Sequence, residues 1–402
     1  MRASRRERMG RALLVIASVA LGTAALEGAA RVARRFRGGG YEADEASRYM
    51  EHDPLLGWRK RPGSSVTYRH REFTAEVSIN RLGLRDPERG YSAPPGCLRI
   101  LALGDSFVEG DTVAREQTVS QVLESSLRAG GQPAEVVNGG TTGYSTDQEY
   151  LFYRTEGVRY SPRVVVLFFY YNDVVYNDRD RFAGQPKPLL ADQGGRLRLV
   201  NDPVPEPRPA PHARRAAAPQ GSALLEWLHD RLFYGAPRAH QALATLGLWP
   251  PIARMREQPE IRVYDRQPPA EIEAAWRKTA TLLGALAQET AAHDAHLLVV
   301  YVPSRFEVDD HSWELTRILY GVDESVWDRA GVCRRLEQIG GHDGFPVLDL
   351  TAALRHEVQW PWRSPYFDYD GHWTRDGHRT AAHAVRDFLN GAHWLGVVSP
   401  LR

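Results

Sequence analysis

The chain is predicted to fold as an α/β domain with a parallel sheet and helices on both faces, and three observations predict it. Short apolar runs rich in β-branched and aromatic residues alternate with segments of helical spacing. Several of these runs end in turns of Gly, Asp, Ser and Asn. The same rhythm resumes after a long interruption and continues to the last helix. That alternation is the pattern of strands joined by crossover helices.

The elements follow in order. Leu98–Leu103 is the first sheet strand, and Val119, Val122, Leu123 and Leu127 then fall on one helical face. A second strand is read at Glu135–Val137 and a helix at Asp147–Glu156. Val164–Phe169 is a run suited to a strand buried on both faces. Residues 174–270 break the rhythm. Pro203, Pro205, Pro207, Pro209 and Pro211 alternate with other residues, which predicts an extended insertion or lid, followed by a helix at Ala223–Phe233. A helix at Glu271–Ala292, a strand at His296–Val302, a helix at Val326–Ile339 and a strand at Pro346–Leu350 resume the pattern. The last helix carries Ala381, Ala382, Val385, Phe388 and Leu389 and stops at Asn390-Gly391.

Two segments precede this domain. In residues 1–40, arginines flank an apolar run from Ala12 to Leu26 that extends through Ala30. No clean A-x-A site follows, so an uncleaved membrane anchor is expected rather than a cleaved signal peptide. A hydrophobic helix packed on the domain is the remaining alternative. Glu27 falls at the edge of the run, where it would reach lipid headgroups. Basic residues at both ends leave orientation nearly undecided. Residues 41–97 read as a cap of short strands, Ser65–Tyr68 and Phe73–Ile79, with turn and packing signals at Gly57-Trp58 and Asn80–Arg85.

Composition narrows the function. The 402 residues are 43% hydrophobic and 25% charged with net charge +1, an ordinary globular balance that provides no field for nucleic acid. Cys97 and Cys333 lack any zinc-site spacing and are read as separate thiols, with a disulfide open only in an exported domain.

Four turns carry the chemistry. Gly104-Asp105-Ser106-Phe107 follows the first strand, where open α/β sheets place their sites. Asn138-Gly139-Gly140-Thr141-Thr142-Gly143 follows the second, and its glycines let backbone N–H groups approach a ligand. Tyr170-Tyr171-Asn172-Asp173 follows the third, where the Asn172 amide is placed to donate to an oxyanion and Asp173 to orient a loop. Asp370-Gly371-His372-Trp373 precedes the last helix, and His372 supplies the base that a serine nucleophile requires. Asp368, Asp370, His372, Asp376 and His378 also cluster as a candidate metal set. They lack a tight ligand spacing, so no metal and no cofactor is expected.

Each turn alone is an ordinary strand ending. In this order, each at a strand end or before the last helix, they resemble the blocks of the SGNH (GDSL-like) hydrolase superfamily, over Leu98–Leu389 with the insertion between. The resemblance implies a flavodoxin-like three-layer α/β/α sandwich in residues 98–395 and a Ser-His-Asp triad. Ser106 matches the nucleophile and His372 the base. Ser106, Gly143 and Asn172 match the oxyanion hole, with Gly140 as the alternative glycine. Two positions depart from the pattern. Tyr170 stands where the family has glycine, which is expected to reshape the oxyanion pocket. The acid position three before His372 is Tyr369, so the acid is assigned to Asp370, with Asp368 as the alternative. The D-x-H-W form, the N-terminal run and the Gly57-Trp58 and Asn80–Arg85 turns are similar to membrane-tethered bacterial envelope members, including relatives of polysaccharide O-acetylation enzymes.

The expected function is that of a serine esterase acting on an acetylated envelope glycan or another small ester, membrane-anchored with its domain outside the cytoplasm. An O-acyltransferase would use the same residues. A non-catalytic binding protein of the same fold would account for Tyr170 and the shifted acid. Tyr144, Tyr170, Tyr171, Tyr176, Trp362 and Trp373 are candidates to stack on a sugar or to pack the core.

Overall fold

The computed structural model describes residues 5–36, 49–194, 197–207, 221–250, 258–359 and 362–395. Five strands build the central sheet: β1 (Leu98–Leu103), β2 (Ala134–Asn138), β3 (Val164–Tyr170), β4 (His296–Val302) and β5 (Val347–Asp349). Their order is β5-β4-β3-β1-β2, with every neighbouring pair parallel. Read from the other edge this is 2-1-3-4-5, the flavodoxin-like order, whose direction reverses between β1 and β3.

Both faces of the sheet are covered. Ile100 and Ala102 of β1, with Val164, Val166 and Phe168 of β3, point to one face. There they meet Leu123 and Leu127 of helix Val119–Ala129 and Ala381, Val385 and Leu389 of helix Arg375–Gly391. The alternate residues Leu101, Leu103, Val165, Leu167 and Phe169 point the other way. They join Leu151 and Phe152 of helix Thr146–Thr155, Trp276 and Leu282 of helix Ala270–Ala292, and Leu336 of helix Gly331–Asp343. Burial of each such side chain stabilises the fold by about 1.5–3 kcal/mol, which explains why the central strands carry almost no polar residue. Cys97 and Cys333 are separate free thiols.

Several expectations are corrected. The helix placed at Val326–Ile339 starts only at Gly331, because 326–330 is a turn that buries Trp327 and is closed by the Asp328 carboxylate accepting from the Ala330 N–H at 3.2 Å. Helices Asp310–Tyr320 and Thr351–His356 carry too few buried apolar residues to show a helical period in sequence. Gly57-Trp58 is not a turn but opens the strand Gly57–Lys60, which pairs antiparallel with Met50–Asp53. Residues 174–270 are also less extended than expected. They hold two small hairpins, Arg181–Phe182 with Gln185–Pro186 and Leu190–Asp192 with Leu197–Leu199, then helices Ala223–Gly235 and Pro237–Thr245. The proline-rich centre of the predicted lid, 208–220, lies outside the described residues.

The chain divides into two compact units, and the smaller contains helix Arg5–Phe36 together with the helices at Ala223–Gly235 and Pro237–Thr245. Met9–Ala33 is long and apolar enough to cross a membrane, with a mean hydropathy of 1.8 and none of that window buried. Glu27 does not stand free for headgroups. Its carboxylate accepts from Ser222 Oγ at 2.7 Å and from the N–H groups of Ala223 and Leu224 at 3.0 and 2.9 Å, satisfying donors that every helix start leaves over.

Candidate active site

The first three loops lie at the carboxyl ends of β1, β2 and β3, around the strand reversal. Ser106 is the first residue of a one-turn helix, Ser106–Glu109, whose cap Asp105 accepts from the Phe107 N–H at 2.9 Å. As first residue it has no intrahelical acceptor for its own N–H. The fourth loop, 366–373, comes from the C-terminal end of the chain and closes on this turn. The Tyr366–Trp373 bridge pinches it, and the Phe367 N–H donates to His372 O at 2.8 Å.

The structure brings Ser106, His372 and Asp370 into one chain of hydrogen bonds. Ser106 Oγ lies 2.7 Å from His372 Nε2, and His372 Nδ1 lies 2.7 Å from Asp370 Oδ1. The same Asp370 oxygen accepts the His372 N–H at 3.1 Å. Burial opposes charge on the imidazole, but the hydrogen bond and charge of Asp370, with Asp111 and Asp105 behind it, lift its pKa to about 9. The ring packs against Phe107 with centroids 5.0 Å apart. Asp368, the alternative acid, faces away from this chain: its carboxylate pairs with Arg305 at 2.5 Å.

The two candidate glycines differ. Gly140 N–H donates to Asn138 Oδ1 at 3.0 Å, and a Cβ at Gly140 would collide with the backbone nitrogen of Glu109, so this glycine is a packing residue against the Ser106 turn. Gly143 has φ +77, a conformation that glycine adopts without penalty, and a Cβ there would meet the Phe182 ring at 2.8 Å. No acceptor engages the Gly143 N–H among the described residues. Asn172 opens the short helix Asp173–Tyr176, and its buried Oδ1 has no partner among the described residues. Asp173 accepts from Thr146 Oγ1 at 3.2 Å and so ties the Asn172 turn to the helix that follows Gly143. Replacing Asn172 by Ala should lower kcat by about 10²–10³-fold with a small effect on KM, as measured by steady-state hydrolysis of a chromogenic acetate ester.

The remaining candidates are placed as follows. Tyr170 lays its ring on Phe107 and Tyr171, with its hydroxyl 3.4 Å from Ser304 Oγ. Trp373 and Tyr144 are core residues at 0% and 2% exposure, while Trp362 stands 90% exposed. Tyr176 donates to Glu260 at 2.8 Å. Among the described residues no group of three or more His, Cys, Asp or Glu is arranged to hold a metal. Asp376 pairs with Arg363 and Arg379. Burial holds His378 neutral down to about pH 3, and its Nδ1 accepts the Val119 N–H.

The residues that hold these loops come from the segment before β1, where the sequence marked Trp58 and Arg85 only as packing or turn positions and did not mark Lys60. Lys60, 2% exposed, donates to Gly140 O and, at 2.8 Å, to Thr141 Oγ1. Trp58 Nε1 donates to Thr142 O at 3.0 Å. Fully buried Arg85 donates to Glu109 O, Gly110 O and Val113 O at 2.9, 2.6 and 2.6 Å. Glu109 in turn accepts the Thr142 N–H at 2.7 Å. Buried Lys60 and Arg85 are thus offset by buried Glu109 and Asp111, the condition for tolerating charge inside a protein. For Lys60 the available signal was a charge at an inward position of a short strand. Arg85 ends the Asn80–Arg85 turn read from the sequence, where nothing indicated which carbonyls its guanidinium would meet.

The central parallel sheet with helices on both faces is consistent with an SGNH-type α/β fold. Residues 263–398 match the family model described as "SGNH hydrolase-like domain, acetyltransferase AlgX". The matched span includes Asp370 and His372 and excludes Ser106, Gly143 and Asn172. No curated protein sequence matches the chain. Solved structures similar to it include a lipase/acylhydrolase from Enterococcus faecalis, at 12% identity and TM-score 0.38, covering 73% of this chain and 96% of that one. A mutant of an acetyl-xylooligosaccharide esterase from Geobacillus Stearmophilus aligns at 14% identity and TM-score 0.37, covering 76% and 96%.

Proposed function

We propose that this domain is a serine acyl-transfer enzyme with Ser106 as nucleophile, His372 as base and Asp370 as its orienting acid. The observation that carries the reading is the pair of 2.7 Å contacts from Ser106 Oγ to His372 and from His372 to Asp370. In the first step Oγ attacks an ester carbonyl while His372 Nε2 takes its proton. The Ser106 and Gly143 N–H groups and the Asn172 amide face the developing oxyanion. His372 then protonates the leaving alcohol, and the acyl group rests on Oγ. In the second step His372 deprotonates the acceptor, the acyl–serine ester breaks, and the proton returns to Oγ.

The first reading is an esterase, with water as acceptor and a small ester or an acetylated envelope glycan as substrate. The second is an O-acyltransferase with a sugar hydroxyl as acceptor, and the family match over residues 263–398 favours it. Met9–Ala33 serves as a membrane anchor that holds the domain at the envelope, outside the cytoplasm. The test is p-nitrophenyl acetate turnover by the full chain in detergent, with and without an oligosaccharide acceptor. Release of acetate at a rate indifferent to the acceptor establishes the esterase. Acetylated sugar formed at the expense of acetate establishes the transferase. A chain that neither turns over nor labels with a fluorophosphonate at Ser106 is a binding protein of the same fold.

A further inference from the structure

We propose that Glu72 is a positioning residue for the triad: its carboxylate holds the loop that aims Asp370 at His372. The inference rests on the reading of Ser106, His372 and Asp370 as a triad. Glu72 belongs to the turn between the strands Ser65–Arg69 and Thr74–Ser78, and the loop it meets lies 296 to 298 residues further along the chain. Its carboxylate accepts three consecutive backbone N–H groups. Oε1 takes that of Asp368 at 2.7 Å, and Oε2 takes those of Tyr369 and Asp370 at 3.0 and 2.9 Å. Successive N–H groups converging on one point form an anion-binding concavity, and here the anion is a side chain of the same protein.

The consequence for the site is geometric. Asp370 receives its backbone orientation from this contact, and its Oδ1 then accepts from both the N–H and the ring of His372. The next residue, Gly371, turns the chain at φ +85. On the far side of the loop Arg305 holds the Asp368 carbonyl at 2.9 Å and its carboxylate, and Phe73, the neighbour of Glu72, lies 5.0 Å from Phe367. The loop is therefore gripped on two sides, and Glu72 is the grip nearest the triad acid. A glutamine would bring an NH₂ donor toward N–H donors and lose at least one of the three bonds. An aspartate is one methylene too short to reach all three.

The test compares Glu72→Ala and Glu72→Gln with Thr74→Ala, an exposed position of the same hairpin, in the full chain. With p-nitrophenyl acetate, Glu72→Ala is expected to lose about 10- to 100-fold in kcat with little change in KM, as misplacement of a catalytic group by about 1 Å does. Glu72→Gln should fall between it and wild type, and Thr74→Ala should match wild type. The second readout is the titration of His372 by NMR of ring-labelled histidine. Asp370, Asp111 and Asp105 face this ring, and His378 is near it. Both variants remove the Glu72 charge equally, so a lower His372 pKa in Glu72→Ala than in Glu72→Gln reports the lost Asp370 alignment, while a purely structural role for Glu72 would lower Tm and leave the two titrations alike. Coinciding His372 titrations in folded Glu72→Ala and Glu72→Gln overturn the proposal, whatever the activity. Full turnover by Ser106→Ala would instead defeat the triad reading, and the titration still decides the role of Glu72.

Discussion

Ser106→Ala is expected to lower kcat for ester turnover by about 10⁵- to 10⁶-fold while leaving the fold in place. On the proposed reading Oγ is the atom that forms the acyl bond, and the nearby Thr141 and Thr142 hydroxyls are engaged with Lys60 and Glu109. The loss is not expected to be total, because on the proposed reading the Asn172 amide and the Gly143 N–H still polarise a bound carbonyl. Stability should change little. Ser106 Oγ contributes one hydrogen bond, to His372, and the helix cap is made by Asp105. The measurement is turnover alongside fluorophosphonate labelling, with thermal unfolding as the control. Retained turnover, or label on another residue, would remove Ser106 from the mechanism.

The second large effect is expected from Asp370→Asn, at about 10⁴-fold in kcat, against at most a few-fold for Asp368→Asn. Asp370 accepts from Nδ1 and so fixes the tautomer that leaves Nε2 free to take the serine proton. An asparagine there can donate to Nδ1 and favour the wrong tautomer. Asp368 pairs with Arg305 at a 57% exposed side chain, where an ion pair contributes little. The pH dependence follows with a definite sign. A carboxylate beside the imidazole favours its protonated form, and the base is active only when deprotonated. In wild type, kcat/KM should therefore keep rising with pH toward about 9, where His372 loses its proton. In Asp370→Asn the acid limb should move to lower pH, as the charge that stabilised the imidazolium is gone. A pH–rate profile of both proteins checks it; an acid limb that stays in place would show that Asp370 is not the partner that sets the His372 pKa.

The way the loops are held bears on both results. Trp58, Lys60, Glu72 and Arg85 lie before β1, and each donates to or accepts from a loop that carries a candidate site residue or its neighbour. The segment before the sheet is thus part of the site's frame. Substitutions there should be judged by kcat and by stability together, since Lys60 and Arg85 are buried beside Glu109 and removing either leaves a charge uncompensated.

What the sequence determined by itself was set by local patterns. Runs such as Val164–Tyr170 have one physical solution, a strand covered on both faces, and the turns after β1, β2 and β3 place Ser106, Gly143 and Asn172 at one end of the sheet because parallel strands share a direction. Tertiary structure alone decided which of two aspartates meets His372, which of two glycines is packed against the Ser106 turn, and that Glu27 caps a helix. It also brought Glu72, Lys60 and Arg85 to loops far away in the chain. These choices depend on side-chain direction and on contacts between residues tens to hundreds of positions apart. Periodicity records which face of an element is buried, and carries no information about which distant polar group a buried charge will meet.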